Sequence, residues 1–279
     1  MIIALFPNTK KRQSINLAIG IQEFLANQNI KVVAEDEEAA HIGALPLSQI
    51  DPKEINFMIS MGGDGTILRL AHKYAHIDAP IVGINLGHLG FMADIPIPDI
   101  YPSLQDLING AYRIDERVVI EGESFQGESC FAVNDIVVHR GKNPSLVELA
   151  IHIDGVYLNT FEADGIIIST PNGSTAYSLA AGGPILSPSL DALVLTPISP
   201  HTISNRPIVL TAHQEIQIQY LSEYDPIEVR ADGLSLHMLR TGEVFRITRS
   251  SKNFKLVNLN RRDYFSTLRS KLGWSGKLR

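Results

Sequence analysis

A change in hydrophobic pattern near residue 112 constrains the fold of this chain more than any other feature. Before it, short apolar runs alternate with segments of helical period, as in the runs 1–6, 55–61 and 80–85 and the helical segments 17–25 and 66–74. Alternation of this kind predicts a parallel sheet covered by helices on both faces. Ligands of such folds bind at the carboxyl ends of the strands.

After residue 112 the helical period almost disappears, and β-rich runs follow one another between turn residues, at 132–139, 147–154, 166–170, 215–221 and 227–230. This pattern predicts antiparallel β structure. We therefore expect an α/β domain with a parallel sheet over 1–112 and an all-β domain over 113–262. An amphipathic helix within 263–279 is expected to pack back on the first domain.

The composition is that of a globular protein. Among 279 residues, 44% are hydrophobic, and 24 Lys and Arg stand against 30 Asp and Glu, a net charge of −6. This balance disfavours disorder and a nucleic-acid partner. The single cysteine, Cys130, excludes a disulfide framework, and no run approaches the roughly 18 apolar residues of a membrane span. We expect a cytoplasmic protein without a membrane partner.

Four glycine-rich or polar segments are candidates for the chemistry. The strongest is the turn Gly62-Gly63-Asp64-Gly65-Thr66, which follows a predicted buried strand and opens a helix. Glycines let a ligand approach the backbone, and a helix N-terminus offers unpaired N–H groups to an anion. The turn therefore suits a phosphate, although it matches neither a Walker loop nor the full dinucleotide fingerprint. An ordinary strand-to-helix turn is the alternative interpretation.

The other segments lie further along the chain. A second glycine-rich loop, 82–91, ends in Phe91, which could stack on a base or fill the core. Asn134 and Asp135 interrupt an apolar strand, so burial requires that backbone or ligand groups satisfy them. Residues 163–184 are too small and polar to be core.

In this order, the four segments resemble the NAD kinase family. Its members transfer the terminal phosphate of ATP, or of polyphosphate in some, to the 2′-hydroxyl of the adenosine ribose of NAD. The GGDGT turn is shared with phosphofructokinases and lipid kinases, whereas the Asn-acid pair and the stretch DG…STPNGSTAY…GGP make the match specific. The resemblance implies an α/β domain followed by a β domain, and a homodimer or homotetramer.

The resemblance also implies roles for single residues. Asp64 matches the catalytic aspartate, Asn134 and Asp135 match the pair that contacts the ribose and nicotinamide side of NAD, and Asp164 matches another carboxylate on that side. The remaining predicted binding residues, from the glycine turn, the adenine pocket and their surroundings, are Gly62, Gly63, Gly65, Thr66, Arg69, Phe91, Glu162, Thr175, Ala176, Tyr177, Ser178, Leu179 and Ala180.

Four positions depart from the family pattern. Asp135 stands where Glu is usual, Glu162 where Arg is frequent, Ala180 where Ser is common and Leu234 where many members have Gln. The loss of Ser at Ala180 and of Gln at Leu234 removes hydrogen-bonding groups. The four departures bear on the dinucleotide contacts and on feedback by NADPH more than on the reaction.

Phosphoryl transfer sets the requirements of the chemistry. Its loose transition state needs little early deprotonation of the nucleophile, so a carboxylate with a pKa of ~4 suffices to align the hydroxyl and accept its proton late. The charge of the donor requires Mg²⁺ or Mn²⁺ bound with it and N–H donors from the glycine turn. Arg69 is either a further donor or a solvated helix residue. No resident metal site is predicted, since His72 and His76 lack the glutamate of a zinc motif.

Two alternatives from other classes remain. A lipid kinase shares the GGDGT turn, but the acidic balance and the missing basic membrane face disfavour it. A non-catalytic dinucleotide sensor would bind NAD without needing Asp64. A hydrolase using Ser174 or Ser178 is disfavoured because no GxSxG elbow occurs.

Overall fold

The computed structural model describes residues 1–9, 11–87, 89–202, 205–234 and 237–274. His88 of the second glycine-rich loop and residues 275–279 of the predicted C-terminal segment lie outside the described residues. Across these ranges, no helix is both long and apolar enough to cross a bilayer.

The chain forms two compact units. The first combines Met1–Asp115 with the chain from Lys255 onward, and the second is Glu116–Phe254. The sequence pattern instead predicts that the β domain extends to residue 262. The difference arises because the strand Phe254–Asn258 joins the sheet of the first unit.

The first unit is an α/β structure. Its helices are α1 Arg12–Asn27, α2 Asp36–Ile42, α3 Asp64–Lys73, α4 Ile100–Ile108 and α6 Tyr264–Leu272. The strands of its sheet are β1 Ile2–Phe6, β2 Lys31–Ala34, β3 Leu45–Pro46, β4 Phe57–Met61, β5 Ile81–Asn85, β6 Ile95–Pro96, β7 Arg113–Arg117 and β20 Phe254–Asn258. The strand order is β3-β2-β1-β4-β5-β20-β7, with β6 paired to β5. The pairs β1 with β2, β1 with β4 and β4 with β5 are parallel.

The central strands of this sheet bring the two glycine-rich loops together. Every residue of β4 and β5 is buried, as expected for strands covered on both faces. Met61 ends β4 and is followed by the glycine turn, and Asn85 ends β5 and is followed by the second loop. Because the strands are parallel neighbours, both loops leave the same edge of the sheet.

The like charges of the acidic segment 35–38 in the sequence predict an exposed loop, but this segment holds the N-cap and first turn of α2. Asp36, Glu37 and Glu38 occupy the first turn of this helix. Carboxylates are favourable there because the helix N-terminus carries partial positive charge. The helix ends at Gly43, whose φ of 72° is left-handed.

The second unit is antiparallel β structure. It contains the short helix α5 Tyr177–Ala180 and the strands β8 Ile120–Ser124, β9 Ser129–Ala132, β10 Asp135–His139, β11 Val147–Ile153, β12 Val156–Ala163, β13 Gly165–Ser169, β14 Ala192–Ile198, β15 Ile208–Thr211, β16 Ile216–Tyr220, β17 Ile227–Ala231, β18 His237–Leu239 and β19 Val244–Arg249. One six-stranded sheet has the order β15-β14-β13-β10-β17-β18 and the other β12-β11-β16-β19-β8-β9. Apolar side chains from both sheets form one buried cluster, which includes Tyr220 and Phe245.

Candidate active site

The glycine turn between β4 and α3 leaves backbone open at the edge of the first unit's sheet. A Cβ on the buried Gly62 would lie 2.3 Å from Oγ1 of Thr66, so the threonine side chain covers a position that requires glycine. A Cβ on Gly63 would meet nothing within 4 Å, and one on Gly65 would meet only Arg69, at 4.0 Å. The start of α3 is therefore accessible to an anionic ligand.

Asp64, the first residue of α3, is half-buried and held by the second glycine-rich loop. Its Oδ2 accepts a hydrogen bond from the N–H of Phe91 at 2.8 Å, and its Oδ1 accepts from the N–H groups of Met92 at 3.0 Å and Ala93 at 2.9 Å. A Cβ on Gly90 would lie only 2.0 Å from Oδ1. The loop can close on the carboxylate because residue 90 has no side chain, and it fixes both oxygens.

Two other side chains of this region have different surroundings. Arg69 is exposed, and its Nη2 lies 3.4 Å from Oγ1 of Thr66. The ring of Phe91, predicted to belong to the adenine pocket, lies 5.9 Å from the ring of Tyr264 between centroids. Nζ of Lys271 stands 5.2 Å above the centroid of the Phe91 ring. The C-terminal helix thus contacts the loop that binds Asp64.

Asp94 follows directly after the N–H groups that bind Asp64. Burial raises its pKa to about 6, against the lowering effects of its own backbone hydrogen bond and of the positive charge of Arg262. The negative charges of Asp64 and Asp115 raise the pKa further. A second carboxyl group, protonated at mildly acidic pH, therefore accompanies the predicted catalytic aspartate.

The second unit contains a cavity of about 420 Å³. Its lining residues are Asn134, Asp135, Val137, His139, Ala176, Tyr177, Glu228, Arg230, Asp232 and Gly233. Four of them, Asn134, Asp135, Ala176 and Tyr177, are residues that we predict to bind substrate. The others were not predicted.

Strand alternation explains the unpredicted residues. Val137 and His139 follow Asp135 at two-residue intervals on β10, and the partners of these two residues in the neighbouring strand β17 are Arg230 and Glu228. Side chains two positions apart share one face of a sheet. Apolar and polar residues alternate along β17, and buried and partly buried positions alternate with them. This alternation indicates such a face in the sequence, but it does not show that the face lines a cavity.

Asp232 holds the backbone at the start of β10. Its Oδ1 accepts from the N–H groups of Asn134 at 2.8 Å and Asp135 at 3.2 Å, and its Oδ2 accepts from the N–H of Val133 at 2.9 Å. The φ of Asp232 is 50°, a left-handed conformation that aspartate tolerates in turns. From the sequence alone, the dipeptide Asp232-Gly233 predicts a hairpin or tight turn but no role in holding β10.

Asp135 has 6% of its surface exposed, the lowest value among the predicted charged residues. Burial raises its pKa to about 7, and the negative charge of Asp232 raises it further. Its neighbour Asn134 accepts a hydrogen bond at Oδ1 from Nδ2 of Asn172 at 2.7 Å. A Cβ on Gly173 would lie 2.1 Å from the carbonyl oxygen of Asn134, so the polar segment packs closely against this strand.

The remaining predicted residues do not line this cavity. Asp164 accepts a hydrogen bond from Nε of Arg140 at 2.6 Å, and Glu162 is exposed, with one carboxylate oxygen 3.6 Å from Nδ1 of His201. Oγ1 of Thr175 lies 3.5 Å from the carbonyl oxygen of Asn172. On α5, Leu179 is half-buried and Ala180 is exposed.

The buried serines of the polar segment have internal partners. Oγ of Ser178 lies 2.9 Å from Oγ1 of Thr196. Oγ of Ser174 donates to the carbonyl oxygen of Pro171 at 2.7 Å and accepts from the N–H of Leu186 at 3.0 Å. These contacts give both hydroxyls a structural role, which argues further against a serine hydrolase.

Sequence comparisons identify the family. A family model described as the ATP-NAD kinase N-terminal domain matches residues 3–112, and one described as the ATP-NAD kinase C-terminal domain matches residues 133–259. An NAD kinase of Protochlamydia amoebophila is 59% identical over 278 residues, which cover 100% of both chains. The chain belongs to the NAD kinase family. An NAD kinase of Moorella thermoacetica is 39% identical over 98% of this chain and 90% of its own.

Solved structures of the NAD kinase family share the fold. A yeast NADH kinase complexed with NADH has a TM-score of 0.87 and 26% identity, with 100% of this chain and 89% of that chain covered. An NAD kinase from Archaeoglobus fulgidus in complex with ATP has a TM-score of 0.78 and 26% identity, with 98% and 99% covered. The predicted fold class, a parallel-sheet α/β domain with an antiparallel β domain, is confirmed.

As an NAD kinase, this protein is a phosphotransferase that phosphorylates NAD to NADP. The alternatives left open by the GGDGT turn, a lipid kinase and a non-catalytic sensor, gain no support from these relatives.

Proposed function

We propose that this NAD kinase transfers the terminal phosphate of ATP to the 2′-hydroxyl of the adenosine ribose with Asp64 as the catalytic residue. The observation that carries the assignment is the carboxylate at the start of α3, fixed by the N–H groups of Phe91, Met92 and Ala93 beside open glycine backbone. A fixed carboxylate aligns a hydroxyl without reorganising during the reaction.

The role of Asp64 is to orient the hydroxyl and to take its proton late. Phosphoryl transfer has a loose transition state, so the nucleophile does not need a strong base. The donor's phosphates approach the start of α3, where Gly63 and Gly65 leave space and the helix N-terminus favours negative charge. Arg69, exposed one turn further on, is a candidate for a further charge contact.

We assign the cavity of the second unit to the ribose and nicotinamide side of NAD. Asn134 and Asp135 supply amide and carboxyl groups for ribose hydroxyls, as the family match implies. Val137 adds apolar surface to this cavity, and Ala176 and Tyr177 of the adenine segment line it too, so the cavity adjoins the adenine side. Asp164 is assigned to the same side of NAD and Glu162 is a further proposed binding residue, although neither lines the cavity.

The adenine side is assigned to the residues Thr175, Ala176, Tyr177, Ser178, Leu179 and Ala180, together with Phe91. Exposure of Ala176, Tyr177 and Ala180 supports this assignment. Ser178 is buried and paired with Thr196, so its contribution is to shape the segment. The yeast NADH kinase was solved with NADH and the Archaeoglobus fulgidus NAD kinase with ATP, which supports a site for both substrates.

Mg²⁺ or Mn²⁺ is proposed to arrive with the donor as part of the substrate. The residues fit this arrangement better than a resident metal site. Asp64 already accepts backbone hydrogen bonds at both oxygens, and the described ranges contain no group of three or more His, Cys, Asp or Glu side chains that could hold a metal ion. The bound cation would offset the charge of the donor's phosphates.

The resemblance to the family also supports a homodimer or homotetramer in the cytoplasm, and polyphosphate as an alternative donor. Sedimentation or light scattering of the purified chain tests the oligomeric state.

The reaction is tested by mixing the purified chain, Mg²⁺, ATP and NAD and coupling the product to an NADP-specific dehydrogenase. We expect an NADP signal with ATP, and a parallel reaction with polyphosphate defines the donor. No NADP with either donor would refute the proposed activity.

The role of Asp64 is tested by Asp64→Asn. We expect kcat to fall about 10²–10⁴-fold, the range of positioned acid–base groups, while NAD binding measured by calorimetry stays nearly intact. The matched control is Asp99→Asn, since Asp99 also stands at the start of a helix of the first unit but forms no side-chain capping bond. Equal activities of the two variants would remove Asp64 from the catalytic role.

A further inference from the structure

The C-terminal helix α6 contacts the loop that binds Asp64 through the ring of Phe91. The Tyr264 ring packs against it with centroids 5.9 Å apart and planes tilted by 41°. Nζ of Lys271, two helical turns further on, lies 5.2 Å from the same ring's centroid. Both contacts are of favourable kinds, an aromatic pair and a cation over an aromatic face.

Phe91 links this helix to the carboxylate. While its ring contacts α6, its backbone N–H donates to Oδ2 of Asp64 at 2.8 Å. The preceding Gly90 donates its N–H to the carbonyl oxygen of Ala93 at 2.9 Å, which closes the loop around Asp64. A shift of the Phe91 ring would therefore move a donor that orients the carboxylate.

A second link supports the first. Arg262 lies just before α6, and its charge acts on Asp94, the residue after the N–H groups that bind Asp64. The helix itself is well defined at both ends: the Asp263 side chain accepts from the N–H of Ser266 at 2.9 Å, and Gly273 ends it with a φ of 66°. The C-terminal segment therefore acts on the loop at two places, through ring contacts at Phe91 and through the charge of Arg262 at Asp94.

We propose that Tyr264, assisted by Lys271, is a positioning residue for the phosphoryl transfer. It acts through Phe91 to hold the N–H groups that orient Asp64, and it touches neither substrate. The inference rests on the proposed catalytic role of Asp64. The C-terminal helix is then part of the catalytic machinery as well as of the packing of the first unit.

The test compares Tyr264→Ala with Tyr264→Phe. Removal of the ring is expected to lower kcat about tenfold, because small misplacements of a catalytic group are costly, and to leave KM for ATP within about twofold. Tyr264→Phe keeps the ring and is expected to retain most of kcat. Ser270→Ala, at an exposed position of the same helix, is the control and should match the wild type.

Lys271→Ala is a second variant for the case that Tyr264→Ala does not fold. It should fold normally, since Lys271 is exposed and its removal leaves no buried cavity. We expect a fall of about twofold to threefold in kcat from the lost cation–π contact. Wild-type kcat in both Tyr264→Ala and Lys271→Ala would overturn the inference, as would equal losses in Tyr264→Ala and Tyr264→Phe. Asp64→Asn separates the two proposals, because its loss of turnover supports the role of Asp64 whatever Tyr264 does.

Discussion

Two aspartates, one in each unit, bind backbone in the same way. Asp64 accepts from the N–H groups of Phe91, Met92 and Ala93, and Asp232 accepts from those of Val133, Asn134 and Asp135. Each carboxylate fixes a three-residue segment far from it in sequence. The shared pattern shows that a carboxylate with three backbone donors can organise a loop in either an α/β or a β framework.

The two sites differ in how the aspartate is presented. Asp64 starts a helix beside glycines that leave space, whereas Asp232 sits in a turn with a φ of 50° and its negative charge acts on a neighbouring carboxyl in a buried strand. That neighbour, Asp135, has its pKa raised to about 7 by burial and by the charge of Asp232. Asp94 near Asp64 has its pKa raised only to about 6, with Arg262 opposing the rise.

The comparison indicates a division of roles. Asp64 has space for a substrate on one side and fixed donors on the other, as a reacting group requires. Asp232 shapes the backbone that carries Asn134 and Asp135, so its effect on substrate is indirect. The experiments below test this division.

Gly90→Ala is expected to have the largest effect. The new Cβ would lie 2.0 Å from Oδ1 of Asp64, so the loop must open and the carboxylate must turn. We expect kcat to fall about 100-fold. The control is Gly87→Ala, where a Cβ meets nothing within 4 Å, and steady-state kinetics of the pair measures the difference. Normal turnover in Gly90→Ala would mean that the loop does not orient Asp64.

Asp232→Asn is expected to lower the free energy of unfolding by about 2 kcal/mol, because an amide offers one acceptor oxygen to three N–H donors. KM for NAD should rise while kcat changes little, in contrast to the Asp64 variant. Asp154→Asn is the control: Asp154 also has a left-handed φ, of 51°, and accepts from the N–H of Glu215, but at an exposed turn. A kcat loss without a KM change would contradict the division of roles.

Asp135→Asn should give an effect on stability that depends on pH. A carboxyl whose pKa is raised in the folded state holds its proton there while the unfolded chain has lost it, so its contribution to stability falls as pH rises from about 4 to 7. The Asp135→Asn variant has no such carboxyl. Its free energy of unfolding should therefore rise by about 2 kcal/mol relative to that of the wild type between pH 5 and pH 8.

Thermal unfolding at several pH values measures this gain, with Asp94→Asn as the comparison. The pKa of Asp94 is about 6, so this carboxyl stops lowering the stability of the wild type near pH 6. Asp94→Asn should therefore raise the free energy of unfolding by less than Asp135→Asn does. Between pH 6.5 and pH 8 only Asp135→Asn should continue to gain stability over the wild type. Identical profiles for the two variants would mean that burial does not separate the two carboxyls.

Several parts of the site follow from the sequence, and others do not. The glycine turn and Asp64 are visible because strand, glycines and helix are consecutive in the chain. The sequence did not predict that α2 begins at Asp36, because an acidic run is typical of a solvated loop and does not by itself indicate a helix. Arg230 and Glu228 were missed because alternation identifies a strand face but not the cavity it lines.

The sequence by itself determined the fold class and the family, because the periods of strands and helices and the spacing of glycines are local properties of the chain. Only the tertiary structure decided which groups bind each functional aspartate. Asp64 meets the N–H of Phe91 across 27 positions, and Asp232 meets that of Asn134 across 98. Such pairs form when sheets and turns bring distant backbone together, and burial then raises the pKa of Asp94 and Asp135, which no local pattern encodes.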